Sequence, residues 1–244
     1  MEYNDLSYEK LSDKIYVCIS TEHRFGTDAF LLCHFAKSRH KDIAADFCSG
    51  NGIAALLLER DYSPKKIYAL EIQKKAYDQL CLSTDKSGLK DKIIPIKGDL
   101  KDFRADEELD LIICNPPYKA NGAGIKNDDM SSSIARHEML CTIDDVCASA
   151  SRNLKFGGRL CVCNRPERLC DIMVAMRKNN LEPKRLRFVS KNKNTAPWLV
   201  LVEGKKGSKP FMKIEPQFYI QSEDGKGFSD ELKALYRLYA ETEN

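Results

Sequence analysis

The chain is predicted to fold as an α/β protein with a seven-stranded, mostly parallel sheet and helices on both faces. Three observations carry this. Apolar runs of strand length alternate with helical stretches along most of the chain. Several of these runs end abruptly in glycine, aspartate, glutamate or asparagine, as strands do where a parallel sheet meets its ligand-binding edge. The last two strands follow each other through Lys191-Asn192-Lys193-Asn194-Thr195 with no helix between them, so one strand near the sheet edge must run antiparallel.

Taken in order, residues 14–20 alternate Ile15, Val17 and Ile19 with Tyr16 and Cys18, a strand pattern. Phe25-Gly26-Thr27-Asp28-Ala29 leads into an apolar helical run over 30–36, with Thr27 or Asp28 as its N-cap. Such a helix could close over a ligand or simply pack on the core edge. Ile43-Ala44-Ala45-Asp46-Phe47-Cys48-Ser49-Gly50-Asn51-Gly52 reads as strand and tight loop, and a helix follows over 53–60. The strand over 66–71 ends in Glu71, about 20 residues after the glycine loop, where a carboxylate can accept both hydroxyls of a ribose. A helix over 73–86 is closed by Gly88. The next strand, 92–97, delivers Gly98-Asp99-Leu100, with Asp99 placed either to bond an adenine amine or to cap a turn.

Leu109-Asp110-Leu111-Ile112-Ile113-Cys114 has the length of a buried parallel strand and runs directly into Asn115-Pro116-Pro117-Tyr118. Two prolines fix φ and remove two donors, so the strand stops and the loop is rigid. The Asn115 side-chain oxygen and the Pro116 carbonyl are acceptors, and Tyr118 offers a flat face; together they suit a planar amine. A plain strand-ending turn is the structural alternative.

Residues 119–140 have no periodicity and are rich in Asn, Gly, Ser and Asp, which suits a substrate-ordering lid carrying Arg136 and His137, or a disordered loop. His137 reads equally well as a capping or surface residue. Thr142-Ile143-Asp144-Asp145 resembles a capped helix start, with the helix running to about Leu154. Phe156-Gly157-Gly158-Arg159 is expected to turn into a strand over 160–164. A helix over 167–179, strands near 186–190 and 198–203, and a tail helix over 230–239 complete the chain. We expect one domain, with a strand and helix extension over 1–40, a core over 41–220 and a helical tail over 221–244.

Composition excludes several classes. No apolar run reaches the roughly 18–20 residues of a membrane span, and Met1-Glu2-Tyr3-Asn4-Asp5 lacks a signal-peptide layout, so a cytoplasmic protein is expected. The ten cysteines have no metal-type spacing and suit reduced thiols in small core sites. Cys161-Val162-Cys163, whose sulfurs are read as diverging to opposite faces of a strand, makes no metal pair, and no metal is expected. Net charge is only +3, but residues 152–213 hold 16 Lys and Arg against 4 Asp and Glu, a local balance of +12. Such asymmetry suggests a polyanion partner, or else a solvated lysine-rich face.

The loop from Asp46 to Gly52, Glu71, Asp99 and Asn115-Pro116-Pro117-Tyr118 resemble class I S-adenosylmethionine-dependent methyltransferases acting on exocyclic or amide nitrogens. Within that group, Phe25-Gly26-Thr27-Asp28-Ala29, Gly122-Ala123-Gly124-Ile125-Lys126 and Ile134-Ala135-Arg136-His137-Glu138 resemble the tRNA(Val) adenine(37) N(6)-methyltransferases. The resemblance covers roughly residues 14–220. Where that family has its first loop glycine this chain has Cys48, which is expected to take an ordinary φ.

The resemblance implies a Rossmann-like fold, S-adenosylmethionine as cofactor with S-adenosylhomocysteine as product, and tRNA as partner of a monomer. It places the cofactor against Thr27, Asp46, Cys48, Gly50, Gly52, Glu71, Asp99, Leu100 and Asn115. Catalysis falls to Asn115, Pro116 and Tyr118, and RNA contacts to Pro117, Tyr118, Lys126, Arg136, His137, Lys191 and Lys193. A protein-glutamine methyltransferase shares the Asn-Pro-Pro-Tyr clamp but does not require the basic segment. A DNA adenine methyltransferase usually carries a further sequence-reading domain, and a non-catalytic RNA-binding module would show degraded motifs.

Overall fold

Ile43–Phe47 (β3) is a short apolar run with both faces covered, and it sits inside the sheet of a computed structural model that describes residues 5–21, 23–116 and 141–240. Its side chains alternate between two cores, Ala44 to one side and Ala45 and Phe47 to the other. That two-sided burial is why the run is apolar apart from Asp46 instead of alternating. Parallel neighbours flank it: Lys66–Glu71 (β4), then Ile93–Lys97 (β5), on one side, and Leu109–Cys114 (β6) on the other. Leu154–Asn164 (β7) pairs parallel with β6. Leu199–Lys206 (β9) is antiparallel to both β7 and Leu181–Ser190 (β8), giving the order β5-β4-β3-β6-β7-β9-β8. The antiparallel strand is therefore β9, enclosed between β7 and β8.

Parallel neighbours need crossovers. Ile53–Tyr62 (α2) links β3 to β4, and Lys74–Lys86 (α3) links β4 to β5. Thr27–Ala36 (α1) packs with α2 on one face of the sheet; Ile143–Asn153 (α4) and Leu169–Lys178 (α5) cover the other. The helix start at Thr142 is a full capping box, its hydroxyl and the Asp145 side chain each accepting from the other residue's backbone N–H. At α1 the cap is Gly26, in extended conformation and without a side-chain cap bond, so neither Thr27 nor Asp28 caps this helix.

Some elements exceed the sequence reading. Ser7–Lys10 (β1) pairs with Tyr16–Ile19 (β2) as a separate hairpin laid on α3, where the hydroxyls of Ser87 and Ser83 accept from the N–H groups of Tyr16 and Cys18 at 2.9 Å each. β7 already begins at Leu154: Leu109 faces Leu154 while Leu111 faces Arg159, so the glycine turn is an irregularity inside one strand. β8 starts five residues earlier than expected. Lys213–Ile214 (β10) and Phe218–Tyr219 (β11) add to its outer edge in parallel, making nine strands.

Asp230–Ala240 (α6) is no appendage. Its Leu232 and Leu235 join the core beneath α1, and Tyr236 meets the Phe30 ring edge-on at 5.2 Å. None of the ten cysteines is in a disulfide. Cys161 and Cys163 face the same core and Val162 the other, as residues two apart on a strand must, so the reading that their sulfurs diverge is corrected. Among the described residues no helix is long and apolar enough to cross a membrane.

Candidate active site

The chain leaves β3 through a loop with three left-handed residues in five: Cys48 (φ 60°), Gly50 (φ 58°) and Gly52 (φ 90°). Cys48 thus takes the glycine-like conformation of the residue it replaces, contrary to the expectation of an ordinary φ, at a cost on the order of 1–2 kcal/mol. Surrounding hydrogen bonds hold it there. Ser49 N–H donates to Leu70 O at 2.8 Å, and Gly52 N–H to Ser49 O at 2.9 Å. Asp46 lies beneath the loop, accepting from Ser49 Oγ at 2.6 Å and from Ala55 N–H at 3.2 Å. Burial pushes its carboxyl up to about 7, against the lowering effect of those two bonds.

Glu71 crosses from the end of β4 to the same loop. One carboxylate oxygen accepts from Gly50 N–H and the other from Gln73 N–H, both at 2.8 Å. Each oxygen keeps a second lone pair, the arrangement a vicinal diol requires. Beside it opens a cavity of about 190 Å³, with Gly50 and Glu71 on one wall and Asp99, Leu100 and Asn115 on the other. Nothing lies within 4 Å of where a Gly50 Cβ would stand, so the backbone is open to a ligand there. Asp99 makes a tight turn, accepting from Lys101 N–H at 2.9 Å with the Lys101 ammonium 3.2 Å from its other oxygen. It is therefore both a turn residue and a wall of the cavity.

A second cavity of about 170 Å³ adjoins the first and shares Cys48, Gly50 and Asn115 with it; Arg24, Phe25 and Asn51 are among its other lining residues. Asn115 stands at the junction, held by Cys163 Sγ–H, which donates to its Oδ1 at 3.2 Å. Cys48 and Cys141 line the first cavity, with Cys114 buried next to Cys48. The Cys48 thiol lies well above its ordinary value, chiefly through its contact with Cys114, and burial pushes Cys114 up to about 11. Neither thiol is a thiolate nucleophile at neutral pH.

Of the expected cofactor residues, Cys48, Gly50, Glu71, Asp99, Leu100 and Asn115 come together around the first cavity. Three stand back from both cavities. Asp46 braces the loop. At Gly52 a Cβ would fall 2.5 Å from Leu80 Cδ1, so this glycine lets α2 and α3 approach closely. Thr27 Oγ1 is 3.0 Å from the Tyr236 hydroxyl, which ties α1 to α6. Pro116 is buried beside Asn115, while Pro117, Tyr118, Lys126, Arg136 and His137 lie outside the described residues. The sequence reading did not assign Ile72, Gln73, Gly98, Cys141, Arg24, Phe25 or Gly26 to the site; Phe25 and Gly26, inside the quoted Phe25–Ala29 stretch, and Gly98, beside Asp99, carried a signal. Among the described residues no group of His, Cys, Asp or Glu could hold a metal ion.

Much of the +12 segment proves structural. Arg159 and Arg185 converge on the buried Glu203 at 3.1 and 2.9 Å and donate to the last carbonyls of α1. Arg177, Lys178 and Arg187 pair with Glu182, Asp144 and Glu231. Lys191 and Lys193 are different: they lie in the β8–β9 loop, and because β8 is parallel to β6 and β7, that loop emerges on the same sheet edge as Asn115.

A cleft at the carboxyl edge of this strand order, with an acid ending the second strand and an acceptor just after the fourth, is where open α/β sheets of this class bind their ligands. Residues 22–182 match the methyltransferase small domain, and the chain belongs to that family. A tRNA1(Val) (adenine(37)-N6)-methyltransferase of Flavobacterium psychrophilum is 30% identical over 145 residues, 58% of this chain and 61% of that protein. The match to one from Actinobacillus pleuropneumoniae spans 41% of its length at 34% identity, and one from Aliivibrio fischeri is 26% identical over 88% of this chain and 89% of its own. A predicted O-methyltransferase from Agrobacterium tumefaciens has the same fold (TM-score 0.68, 17% identity, 87% of this chain and 96% of that chain). A tRNA m1G37 methyltransferase of M. jannaschii does so more distantly (TM-score 0.55, 18%, 85% and 59%). The fold is thus Rossmann-like, of the methyltransferase type.

Proposed function

We propose that this chain transfers a methyl group from S-adenosylmethionine to the N6 amine of an adenine in tRNA, adenine 37 beside the anticodon of tRNA(Val). The carrying observation is the place of Asn115, the first residue of Asn115-Pro116-Pro117-Tyr118, at the junction of two cavities. The first cavity suits the nucleoside part of the cofactor: Glu71 has a free lone pair on each oxygen for the ribose hydroxyls, Gly50 presents open backbone, and Asp99 can accept from an adenine amine. S-adenosylmethionine supplies, when bound, a methyl group on a positively charged sulfur.

The chain's own part is then mainly positioning. Asn115 Oδ1 and the Pro116 carbonyl accept from the target amine, which turns the nitrogen lone pair out of ring conjugation, and Tyr118 offers the unstacked base a flat support. The names of the sequence relatives support the tRNA assignment, as does the position of Lys191 and Lys193 on the site edge.

The test is nucleoside mass spectrometry of tRNA from a strain lacking the gene, paired with methyl transfer by the purified chain to an unmodified tRNA(Val) transcript. We expect N6-methyladenosine to be missing in the strain and formed on the transcript. Methylation of a release-factor peptide or of DNA with the transcript left untouched would sink the substrate assignment and leave the methyltransferase assignment standing.

A further inference from the structure

A third cavity, of about 190 Å³, opens beyond β8, between the β8–β9 loop and the turn after β11. Both walls are hydrogen-bonded turns. In one, Asn192 N–H donates to Thr195 Oγ1 and Asn194 N–H to Asn192 Oδ1, each at 3.0 Å. In the other, Asp224 accepts from Ser222 Oγ at 2.6 Å and Lys226 N–H at 3.1 Å, while Ser222 N–H reaches Gly227 O at 2.9 Å. Asn192 Nδ2 donates to Gln221 Oε1 at 2.9 Å and ties the two walls together. The cavity is thus preformed.

Its mouth carries groups that the fold does not use. The half-buried Tyr219 and the exposed Lys193, Asn194 and Glu223 line it, their side chains without a hydrogen-bond or ion-pair partner among the described residues. Gln221 retains its amide donors. A flat aromatic face, a cation, carboxamides that donate and accept, and a carboxylate acceptor are the set that holds an unpaired nucleotide by base, base edge and phosphate. The carboxylates disfavour a free phosphate ion and suit a base bearing an exocyclic amine.

Topology places this cavity toward the proposed RNA. Strands β6, β7, β8 and β11 run parallel, so Asn115, Arg165, Lys191 and Tyr219 all lie toward one edge of the sheet. From β6 to β11 there are four strand spacings, which with the longer reach of β8 puts Tyr219 on the order of 20 Å from Asn115. Arg165, directly after β7, and Trp198, directly before β9, stand between, the Arg165 guanidinium donating to Trp198 O at 3.5 Å.

We infer that this cavity is a second nucleotide site, which takes an unpaired nucleotide a few positions along the strand from the target adenine and so contributes to the choice of RNA. The inference rests on the RNA methyltransferase reading of the main site.

The test measures binding of a tRNA(Val) transcript by anisotropy and methyl transfer to it, with S-adenosylhomocysteine affinity reporting an intact fold. Tyr219→Ala should raise both the Kd and the KM for the transcript about tenfold, with turnover at saturating RNA within about twofold of wild type. Tyr219→Phe, which keeps the ring, should bind as wild type does. If wild-type protein methylates the transcript and Tyr219→Ala matches it in Kd and KM, the second site is refuted while the main reading stands. Equal losses from Tyr219→Ala and Tyr219→Phe refute stacking and with it the site. Should Tyr219→Ala lose S-adenosylhomocysteine as well, the pair Lys193→Gln and Asn194→Ala replaces it, and an unchanged Kd there overturns the inference. A wild-type chain that neither binds nor methylates RNA removes both readings.

Discussion

Asp46 should make the stability of this domain fall as pH rises from about 4 to about 7. Its carboxyl is buried under the loop that forms the main cavity, and its pKa is pushed from the ordinary 3.8 up to about 7, chiefly by burial. Between those values the folded chain holds a proton that the unfolded chain has released, so unfolding gives off a proton and is favoured by rising pH. The contribution is complete below about pH 4 and is lost once the pH passes 7. A shift of about three units at 1.36 kcal/mol each sets a ceiling near 4 kcal/mol, and local relaxation brings the expected change to about 2–4 kcal/mol. Asp46→Asn cannot charge, yet it keeps an acceptor for Ser49 Oγ or Ala55 N–H. Urea unfolding of both proteins from pH 4 to 8 should therefore show the wild-type stability falling relative to the variant by that amount. A difference that is flat, or that grows with pH, refutes a buried carboxyl held neutral at this position.

Gly52→Ala should lower the urea unfolding free energy by about 2–4 kcal/mol, since it puts a Cβ on a left-handed residue and 2.5 Å from Leu80 Cδ1. Glu71→Ala should weaken S-adenosylhomocysteine binding in calorimetry by about 1–3 kcal/mol through loss of charge-assisted bonds; a preference for NAD over that ligand would remove the cofactor reading. Asn115→Ala should abolish methyl transfer while the chain stays folded and keeps most of its cofactor affinity, because the side chain acts on the target amine; an unaltered rate excludes the clamp. Glu at both Lys191 and Lys193 should raise the KM for tRNA more than it lowers turnover, and wild-type affinity should drop steeply with salt; equal KM values would detach this loop from the RNA.

The strands that build the main cavity were legible because each is an apolar run stopped by a residue with a reason to stop it. The strand ending in Glu71 has the predicted bounds, and Glu71, Asp99 and Asn115 meet as expected. What stayed hidden depends on partners far away in sequence. β1 shows no alternation because it is half open, and β8 could not be traced back to Leu181 because Glu182, Lys184 and Arg185 interrupt its pattern. Arg185 belongs in a strand only because Glu203 and the Phe35 ring receive it, the latter at 4.3 Å. The same long-range pairing turned much of an apparent polyanion surface into internal ion pairs. The Gly50-Asn51-Gly52 stretch could not reveal which glycine faces a ligand and which faces Leu80, and the Cys48 backbone was misjudged because its conformation is imposed by the loop closing over Asp46.

The outer borders of the sheet bear on how readily another chain could pair with it. An open strand border is a template on which another chain can add hydrogen bonds without limit. At one border β5 carries Pro95, which lacks an N–H and interrupts the free donor row. At the other, β8 is met by β10 and β11, two pairs of residues separated by Pro216, so its outer row is occupied in fragments too short to extend a fibre. Neither border offers a long flat ladder, and self-association through strand addition is blocked at both ends of the sheet.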